Sequence, residues 1–554
     1  MSFQVFSRGR LIAAAFVLAA GPAAAEVFTV GPGAGCSHVR IQDALDAAAA
    51  NGPDEDEIRL VAAEHTLQRL RVEQQSVIVS GGWASCAADA EPIGATALIG
   101  GHEAGATGTD AVLRIRAEGL YTNVTLRRLV IRDGAGGADG HGGGIDAAGS
   151  VRVVLQDVEV LDNHVDGNGG GIALTGTHLA GVLELHAGVR IAGNVAGQAG
   201  GGLYLERATA RIRADRTEIS GNRAARGGGL AAVGGSIGIG SVGEPEIQHD
   251  AHGARITGNT AQRGGGVHLE AGALFDAHEL ALSFNHAIEA GGGLYASGGV
   301  QVSMQRSYPN VFAVQCGDAS CARIEGNQAG DGCPGTRGEG GGLYLEADTR
   351  AMLRQLALVD NCAWGSPGVV SWGTQLDLEG VLVAGNRLAW REGANYTGRR
   401  VISYASRVGA APATARLAFV TFARNVEVRD ADTFPADAMS ALGGGDRWQY
   451  AVDAIATADP LPASGGLSQY GACNRAVTQD VFADAAAGDY RPRADGPLVD
   501  ACAADQVDHE DTDLALTPRC IDHPRPDQGG RCDIGAYELQ ATAPADRIFA
   551  DAFE

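Results

Sequence analysis

A short phrase that recurs through the middle of the chain constrains its fold more than any other feature. Each copy has an Asn, a stretch of small or polar residues, a run of glycines and one aliphatic residue. The aliphatic residues that end the copies are Ile145, Ile172, Leu203, Leu230, Val267, Leu294 and Leu343. They advance along the sequence by 27, 31, 27, 37, 27 and 49 residues. A basic period of 27 residues with insertions is typical of a stacked array of repeats.

The composition of the phrase predicts what each of its parts does in such a stack. Runs rich in β-formers, such as VRVVLQDVEVLDN at 151–163, end at the Asn of a copy. The first residues of the copies are Asn163, Asn194, Asn222, Asn259, Asn285 and Asn327. An Asn at the same turn of successive coils can stack its side-chain amide on the next, forming a hydrogen-bonded ladder. The glycines suit turns with positive φ and let coils approach at the strand spacing. We therefore predict that Asn and Gly build the turn and that the aliphatic residue fills the core.

The first 25 residues have the features of a secretory signal. Arg8 and Arg10 precede the apolar stretch LIAAAFVLAA, and three alanines at 23–25 form a small-residue cleavage site. No later run of eighteen or more apolar residues follows, so no membrane-spanning helix is predicted. The sequence predicts a protein that is exported and either secreted or associated with the cell surface.

Ten cysteines fit an exported chain in an oxidising compartment. No CxxC pair or Cys/His cluster with zinc spacing is present, so disulfides are favoured over a metal site. Sequence alone does not fix the pairing. Proximity along the chain suggests Cys36 with Cys86, Cys316 with Cys321, Cys333 with Cys362, Cys473 with Cys502, and Cys520 with Cys532.

The chain is strongly acidic, with a formal charge of −24, and all 42 of its basic residues are Arg. Such a surface offers no basic stripe that could displace counterions from nucleic acid or from anionic membranes. Nucleic acid is therefore not an expected partner.

The beginning of the mature chain resembles the N-terminal cap of the right-handed parallel β-helix (pectin-lyase-like) superfamily. The stretch HVRIQDALDAAAANGPDEDEIRLVAAEHTL contains a short amphipathic helix at 41–50, with Ile41 and Leu45 on one face, and then a strand. A polar-faced helix can cover the exposed edge and core of the first coil. The resemblance implies an all-β, right-handed parallel β-helix solenoid with an N-terminal helical cap.

Two further resemblances concern the repeats and the C-terminal part. The repeats are similar to those of the polymorphic outer-membrane proteins, of which LSFNHAIEAGGGLYA is the nearest copy, although GGG replaces GGA. The stretch RPDQGGRCDIGAYE at 525–538 resembles the terminal module of bacterial β-helix proteins. The first resemblance implies an adhesin-like role at the cell surface.

These patterns divide the chain into five segments. Residues 1–25 form the signal, 26–95 the cap and first coils, and 96–430 the β-helix repeats, with a disulfide-linked insertion near 305–340. Residues 431–540 form the last strands and the C-terminal module, and 541–554 a linker and tail.

One residue in the repeated phrase is a candidate for ligand binding. The residue after the aliphatic position points outward if the aliphatic residue points inward. That position holds Tyr204, His268, Tyr295 and Tyr344, which would form an aromatic row on one face. Such a row is a platform for sugar rings when it is exposed, or a cross-strand stack that stabilises the sheet. We expect polysaccharide or cell-surface components as partners.

Five acidic residues in two neighbouring coils are the candidates for an ion site. They are Asp133, Asp139, Asp146, Asp162 and Asp166. They could supply oxygen ligands to Ca²⁺ if they share a face, whereas solvated turn residues would also explain them. No other cofactor is expected.

Enzymatic action on acidic polysaccharide is the alternative to a non-catalytic role. The polygalacturonase family carries NTD, DD, GHG and RIK motifs, of which this chain has GHG around His141 and RIR at 211–213. The carboxylate motifs that perform hydrolysis are missing, so His141 is interpreted as part of a glycine-rich turn. No catalytic residue is assigned, and a non-catalytic protein in adhesion or polysaccharide contact is favoured over a polysaccharide lyase or glycoside hydrolase.

Overall fold

Short parallel strands that pair with the equivalent strand of the next coil make up most of the protein, which is a parallel β-helix. The computed structural model describes residues 25–101, 111–136, 140–177, 181–213, 217–240, 253–306, 322–346, 348–390, 400–405, 413–429, 432–436, 438–442, 448–459, 469–470, 473–503, 512–515, 517–523 and 530–539. The predicted signal segment up to residue 24, Asp139, residues 307–321 of the predicted insertion with Cys316 and Cys321, and the tail 541–554 lie outside these residues.

Each coil contributes one strand to each of three long faces. Two early strands, Leu113–Arg132 and Ile145–Leu161, run without a break through all three.

Face 1 contains the strands that begin at the aliphatic residue of the repeated phrase. Besides the two continuous strands, they are Leu70–Glu73, Ile172–Thr175, Leu203–Glu206, Leu230–Val233, Val267–Glu270, Leu294–Ser297, Leu343–Glu346, Val369–Trp372, Ile402–Ala405 and Met439–Leu442.

Face 2 follows along the chain. Its further strands are Val27–Val30, Asp56–Val61, Val77–Trp83, Val182–Leu185, Thr209–Ile212, Ser236–Ile239, Leu274–His278, Gln301–Gln305, Arg350–Arg354, Gln375–Glu379, Ala413–Ala418, Trp448–Asp453 and Gln469–Tyr470.

Face 3 ends at the Asn of the phrase. Its further strands are Glu64–His65, Thr96–Ile99, Arg190–Ala192, Glu218–Ser220, Arg255–Thr257, Ala281–Ser283, Arg323–Glu325, Ala357–Val359, Leu382–Ala384, Thr421–Ala423, Ala456–Thr457 and Arg475–Ala476.

A fourth, shorter segment runs from the Asn to the glycines and closes each coil. Its strands are His164–Val165, Val195–Ala196, Thr260–Arg263, His286–Ala290, Gln328–Ala329, Cys362–Ala363, Arg387–Trp390 and Val426–Arg429. The last of these pairs antiparallel with Asp432–Pro435, which ends this stack.

The predicted Asn ladder is confirmed and runs through the interior with a single polarity. Its nine members, each at most 1% exposed, are Asn163, Asn194, Asn222, Asn259, Asn285, Asn327, Asn361, Asn386 and Asn425. In a typical rung, Oδ1 of Asn285 accepts the backbone N–H and the Nδ2–H of Asn259, both at 3.0 Å. The second Nδ2 hydrogen of Asn259 is donated to the carbonyl of Ile219 at 3.0 Å. Buried amides are thus satisfied from coil to coil.

The two ends of the ladder are closed by different groups. At the N-terminal end, the backbone N–H of Gly134 donates to Oδ1 of Asn163 at 2.8 Å. At the other end, Nδ2 of Asn425 donates to Oδ2 of Asp459 at 2.5 Å. Burial raises the pKa of Asp459 to about 6. A carboxyl group suits this end, because among the described residues no further ladder Asn follows to accept a hydrogen bond from an amide.

The three glycines of one copy show why the phrase needs them. Gly200 has φ of 67°, in the left-handed region that favours glycine. A Cβ on Gly201 would lie 2.4 Å from the carbonyl oxygen of Gly228 in the next coil. A Cβ on Gly202 would lie 2.9 Å from Nδ2 of the ladder residue Asn222. The first glycine makes the turn, and the other two allow close approach of the next coil.

The core is one continuous apolar column. All seven aliphatic residues that end the phrases are at most 1% exposed, as predicted. The helix Ile41–Asn51 closes the N-terminal end, burying Ile41 and Leu45. Its Gln42 side chain accepts from the N–H of Arg71 at 2.9 Å and donates to its carbonyl at 3.1 Å, which satisfies the edge of the first face 1 strand.

The C-terminal segment packs along the outer side of face 3. It contains the short 3₁₀ helices Gln479–Val481 and Ala485–Ala487 and the hairpin Phe482–Asp484 with Asp489–Pro492. The guanidinium of Arg519 lies 4.2 Å from the ring centroid of Phe419, and Thr421 Oγ1 accepts from the N–H of Ala536 at 2.9 Å. These contacts fix the segment against the coils.

Four of the five predicted disulfides are present: Cys36–Cys86, Cys333–Cys362, Cys473–Cys502 and Cys520–Cys532. They are compatible with an extracellular protein. Within the described part of the chain, none of the helices combines the length and the apolar character needed to cross a membrane.

Candidate functional site

The predicted aromatic row exists, and its members lie in register on the outer side of face 1. Backbone pairing places Tyr204, Ala231, His268, Tyr295 and Tyr344 at equivalent positions of successive coils. The rings of His268 and Tyr295 are parallel within 4°, with centroids 4.8 Å apart. Those of Tyr295 and Tyr344 are 5.4 Å apart. The rings therefore stack on one another along the solenoid axis.

The same row is largely buried although it points away from the core. Tyr204 is 6% exposed, His268 2% and Tyr295 5%. The fourth segment covers them: Ala199 packs in one cluster with Tyr204, and Arg263 lies 5.9 Å above the ring of Tyr295. Ring faces that contact each other and this segment are not free to stack on a sugar. These contacts favour the cross-strand stack, and ligand binding by the row stays a prediction.

Glutamates border the aromatic row and accept its polar hydrogens. Tyr295 Oη donates to Oε2 of Glu346 at 3.0 Å, and His268 Nε2 lies 2.8 Å from Oε1 of Glu270. The hydrogen bond to His268 lowers the pKa of Glu270. Burial, with the charge of Glu206 beside the hydroxyl, raises the pKa of Tyr204 to about 12. The hydroxyls of Tyr204 and Tyr295 and Nε2 of His268 are thus engaged within the protein.

The acidic candidates for an ion site are distributed over different parts of the coil. Asp133 and Asp162 occupy the same turn in successive coils, whereas Asp146 lies on the outer side of face 1. Asp146 pairs with Arg116 at 2.5 Å and with Arg114 at 3.4 Å. Asp166 is fully exposed in the fourth segment. In the part of the chain that the structure describes, no group of three or more His, Cys, Asp or Glu side chains could hold a metal ion.

His141 stands between Gly140 and Gly142, both with positive φ, as expected for a glycine-rich turn. Its ring is parallel to that of Tyr204, with centroids 6.1 Å apart. It therefore extends the stacked row.

Face 2 presents a second set of outward rows, parts of which are open to solvent. One row passes through Glu184, Arg211, Gly238, Asp276 and Ser303, each paired with the next. The Arg211 side chain is 65% exposed and that of Asp276 52% exposed. Hydrogen bonds and the charge of Arg152 outweigh burial and lower the pKa of Glu184. Face 2 therefore carries charged groups that solvent reaches.

Much of the hydrogen-bonding capacity of this open row is unused. Among the described residues, Arg211 bonds only to Glu184, through one nitrogen at 3.2 Å, although a guanidinium has five donors. The contact of Asp276 with His278 Nε2, at 3.6 Å, is beyond hydrogen-bond distance, so its carboxylate keeps acceptor capacity. These groups are available to a ligand.

One strand of this row has a recognisable sequence pattern, which lies outside the repeated phrase. In SIGIG at 236–240 the outward positions are Ser236, Gly238 and Gly240, between the inward Ile237 and Ile239. The RIR motif at 211–213 lies on the strand of the preceding coil. Its arginines therefore lie next to these small residues.

A charged cluster near the other end of face 2 joins one cation to two carboxylates. Arg416 pairs with Asp377 at 3.2 Å and with Glu379 at 3.0 Å. Glu379 is buried, whereas Asp377 and Arg416 are partly exposed.

Comparison of the chain with protein-family models, with curated proteins and with solved structures found no match.

Proposed function

We propose that this protein is an exported, non-catalytic β-helix protein that contacts polysaccharide, in a secreted or surface-associated adhesive role. The observation that carries the proposal is the open outer side of face 2, where Arg211 and Asp276 keep polar atoms that bond to nothing in the described protein. Successive positions of the row are separated by the strand spacing of about 4.8 Å, so Arg211 and Asp276 lie two spacings apart. A regular, extended polymer with many hydroxyl groups matches such a surface better than a compact ligand does.

The stacked coils also favour a passive contact surface. Each coil is tied to the next by backbone pairing and by the buried ladder, so the rows on face 2 keep a fixed spacing. A preorganised surface loses little conformational entropy when it binds an extended chain. Disulfides and the resemblance of the N-terminal stretch to a secretory signal support action outside the cell.

Affinity electrophoresis of the purified protein in gels containing single polysaccharides tests this proposal. The panel should include neutral β-linked glucans, mannans and xylans, and polymers of uronic acids. We expect retardation by at least one polysaccharide and no new reducing ends after long incubation. Unretarded migration with every polysaccharide would contradict the proposal.

An enzyme acting on acidic polysaccharide is the second candidate, and one observation favours it. Arg416 faces two carboxylates, Asp377 and Glu379, on an outer face of the solenoid. Glycoside hydrolysis uses a pair of carboxylates, and an arginine can bind the carboxylate of a uronic acid. Incubation with uronic-acid polymers should then produce reducing ends or unsaturated products. Their loss in Asp377→Asn, with unchanged folding, would assign the activity to this cluster.

A further inference from the structure

Gly238 leaves a gap, called the depression below, in one outward row of side chains on face 2, between Arg211 and Asp276. The row that contains it has a side chain in the neighbouring coils, and these residues are Val154, Glu184, Arg211, Asp276, Ser303, Met352, Asp377 and Arg416. Ser236 and Gly240, the other outward positions of the same strand, are also small. One strand of the face therefore exposes backbone where its neighbours expose side chains.

The backbone conformation does not explain glycine at position 238. Gly238 is an extended residue within the strand Ser236–Ile239, whereas Gly240, just after it, has φ of 62°. Glycine inside a strand weakens it by about 0.5–1 kcal/mol relative to alanine. Such a glycine often marks a place where a ligand or another backbone approaches closely. Gly238 and Gly240 are partly exposed, so the depression is reached by solvent.

The two walls of the depression have complementary chemistry. Arg211 and Arg213 stand on the preceding strand and Asp276 on the following one, so donors face an acceptor across two strand spacings, about 10 Å. Arg211 has unused donors, and Asp276 has unused acceptor sites. The opposite charges of the walls favour a ligand without net charge over an anion.

We propose that this depression, which we name the Gly238 notch, binds one neutral sugar ring of a polysaccharide. The ring lies with its C–H face on the backbone at Gly238. Its hydroxyl groups accept from Arg211 on one edge and donate to Asp276 on the other. The inference rests on the proposed function and deepens it, because it names the contact point and the class of sugar.

Filling the notch tests the inference and separates binding from stability. Valine at position 238 projects a branched side chain over the floor, and β-branched residues suit strands. Titration of wild type and Gly238→Val with oligosaccharides of the polymer that retards the wild type should show at least a tenfold loss of affinity. The thermal midpoint of Gly238→Val should stay equal or rise, and Gly238→Ala should be intermediate in affinity.

Further variants assign the walls. Arg211→Gln and Asp276→Asn should each weaken binding severalfold without lowering the thermal midpoint. Met352→Val, three strands away in the same row, is the matched control and should bind as the wild type does.

Each outcome has a distinct meaning. Equal affinity of Gly238→Val and wild type would overturn the notch and leave the proposed function standing. Binding only to uronic-acid oligomers, lost in Gly238→Val, would overturn the assignment of a neutral sugar. No binding of the wild type to any polysaccharide of the panel would overturn the proposed function and the notch together.

Discussion

The aromatic row of face 1 and the charged row of face 2 both point away from the core, but the first is mostly buried and the second meets solvent at Arg211 and Asp276. Tyr295 is 5% exposed, whereas the side chain of Arg211 is 65% exposed. The difference comes from the fourth segment, which folds over face 1 at Tyr204 and Tyr295, whereas Arg211 and Asp276 on face 2 are open to solvent. In a solenoid, the alternation of side chains along a strand determines which residues point away from the core. Whether these residues meet solvent depends on the segments that pack over each face.

The largest loss of stability is expected in the Asn ladder. The ladder is a row that is completely buried, so it sets the upper limit for the comparison of the two outward rows. Asn259→Ala removes the acceptor of both the N–H and the Nδ2–H of Asn222. Each unsatisfied buried group costs about 1–3 kcal/mol, so we expect a loss of about 4 kcal/mol in the free energy of unfolding. Urea unfolding followed by circular dichroism measures it. Asn123→Ala, on partly exposed face 2, should lose less than about 0.5 kcal/mol.

The next effect separates the two outward rows directly. Tyr295→Ala should cost about 3 kcal/mol, because a large buried aromatic side chain is lost between two stacked rings. Arg211→Ala should change the free energy of unfolding by less than about 0.5 kcal/mol, because its side chain is mostly solvated. Similar losses in the two variants would show that face 1 is no better covered than face 2.

The closed end of the ladder should show a dependence on pH. The pKa of Asp459 is raised to about 6, so the folded state holds its proton more tightly than the unfolded state does. Its stabilisation is complete below the unfolded value near 3.8 and is lost as the pH rises towards 6 and beyond. Asp459→Asn stays neutral at every pH but leaves its amide hydrogens without a ladder acceptor, so its stability relative to the wild type should rise by about 2 kcal/mol between pH 4 and pH 8.

Thermal melting of the wild type and Asp459→Asn from pH 4 to pH 8 measures this difference. The difference in the free energy of unfolding should move in favour of the variant as the pH rises from 4 to 8. A constant difference across that range would assign the effect to packing and not to the proton.

The smallest loss of stability is expected at Glu270, which borders the aromatic row beside His268. The hydrogen bond from His268 lowers the pKa of Glu270, so its contribution is present above the unfolded pKa near 4.5 and is lost at lower pH. The Glu270 side chain is 31% exposed, and Glu270→Gln should lose less than about 1 kcal/mol at pH 7. Asp276→Asn on face 2 should leave stability unchanged. Equal losses of unfolding free energy in Glu270→Gln and Asp276→Asn at pH 7 would show that the edge of the aromatic row is no better packed than face 2.

Much of the architecture followed from the period of the sequence. The Asn ladder, the buried aliphatic positions and the helix at 41–51 were predicted, because each depends on a local pattern repeated at the coil spacing. Four disulfides agree with pairing by proximity, since each joins cysteines only 12 to 50 residues apart along the chain.

The candidate site was less accessible to sequence reasoning. The register of the aromatic row was predicted from one phrase, but its burial depends on how the fourth segment packs. The Gly238 notch needs the register between Arg211, Gly238 and Asp276, which are 27 and 38 residues apart. Unequal coil lengths hide that alignment until the strands are paired. A strand in which every outward position holds a small residue would indicate such a gap from the sequence.

The one-way polarity of the ladder has a consequence for how such a chain grows in evolution. Every internal rung accepts from the coil before it and donates to the coil after it, whereas Gly134 and Asp459 occupy the ends. Duplication of an internal coil adds one acceptor and the matching donors, so the hydrogen-bond balance of the interior is preserved. Extension beyond Asp459 would place an acceptor-only group where a donor is needed. Lengthening by internal duplication is therefore the route that keeps both ends intact.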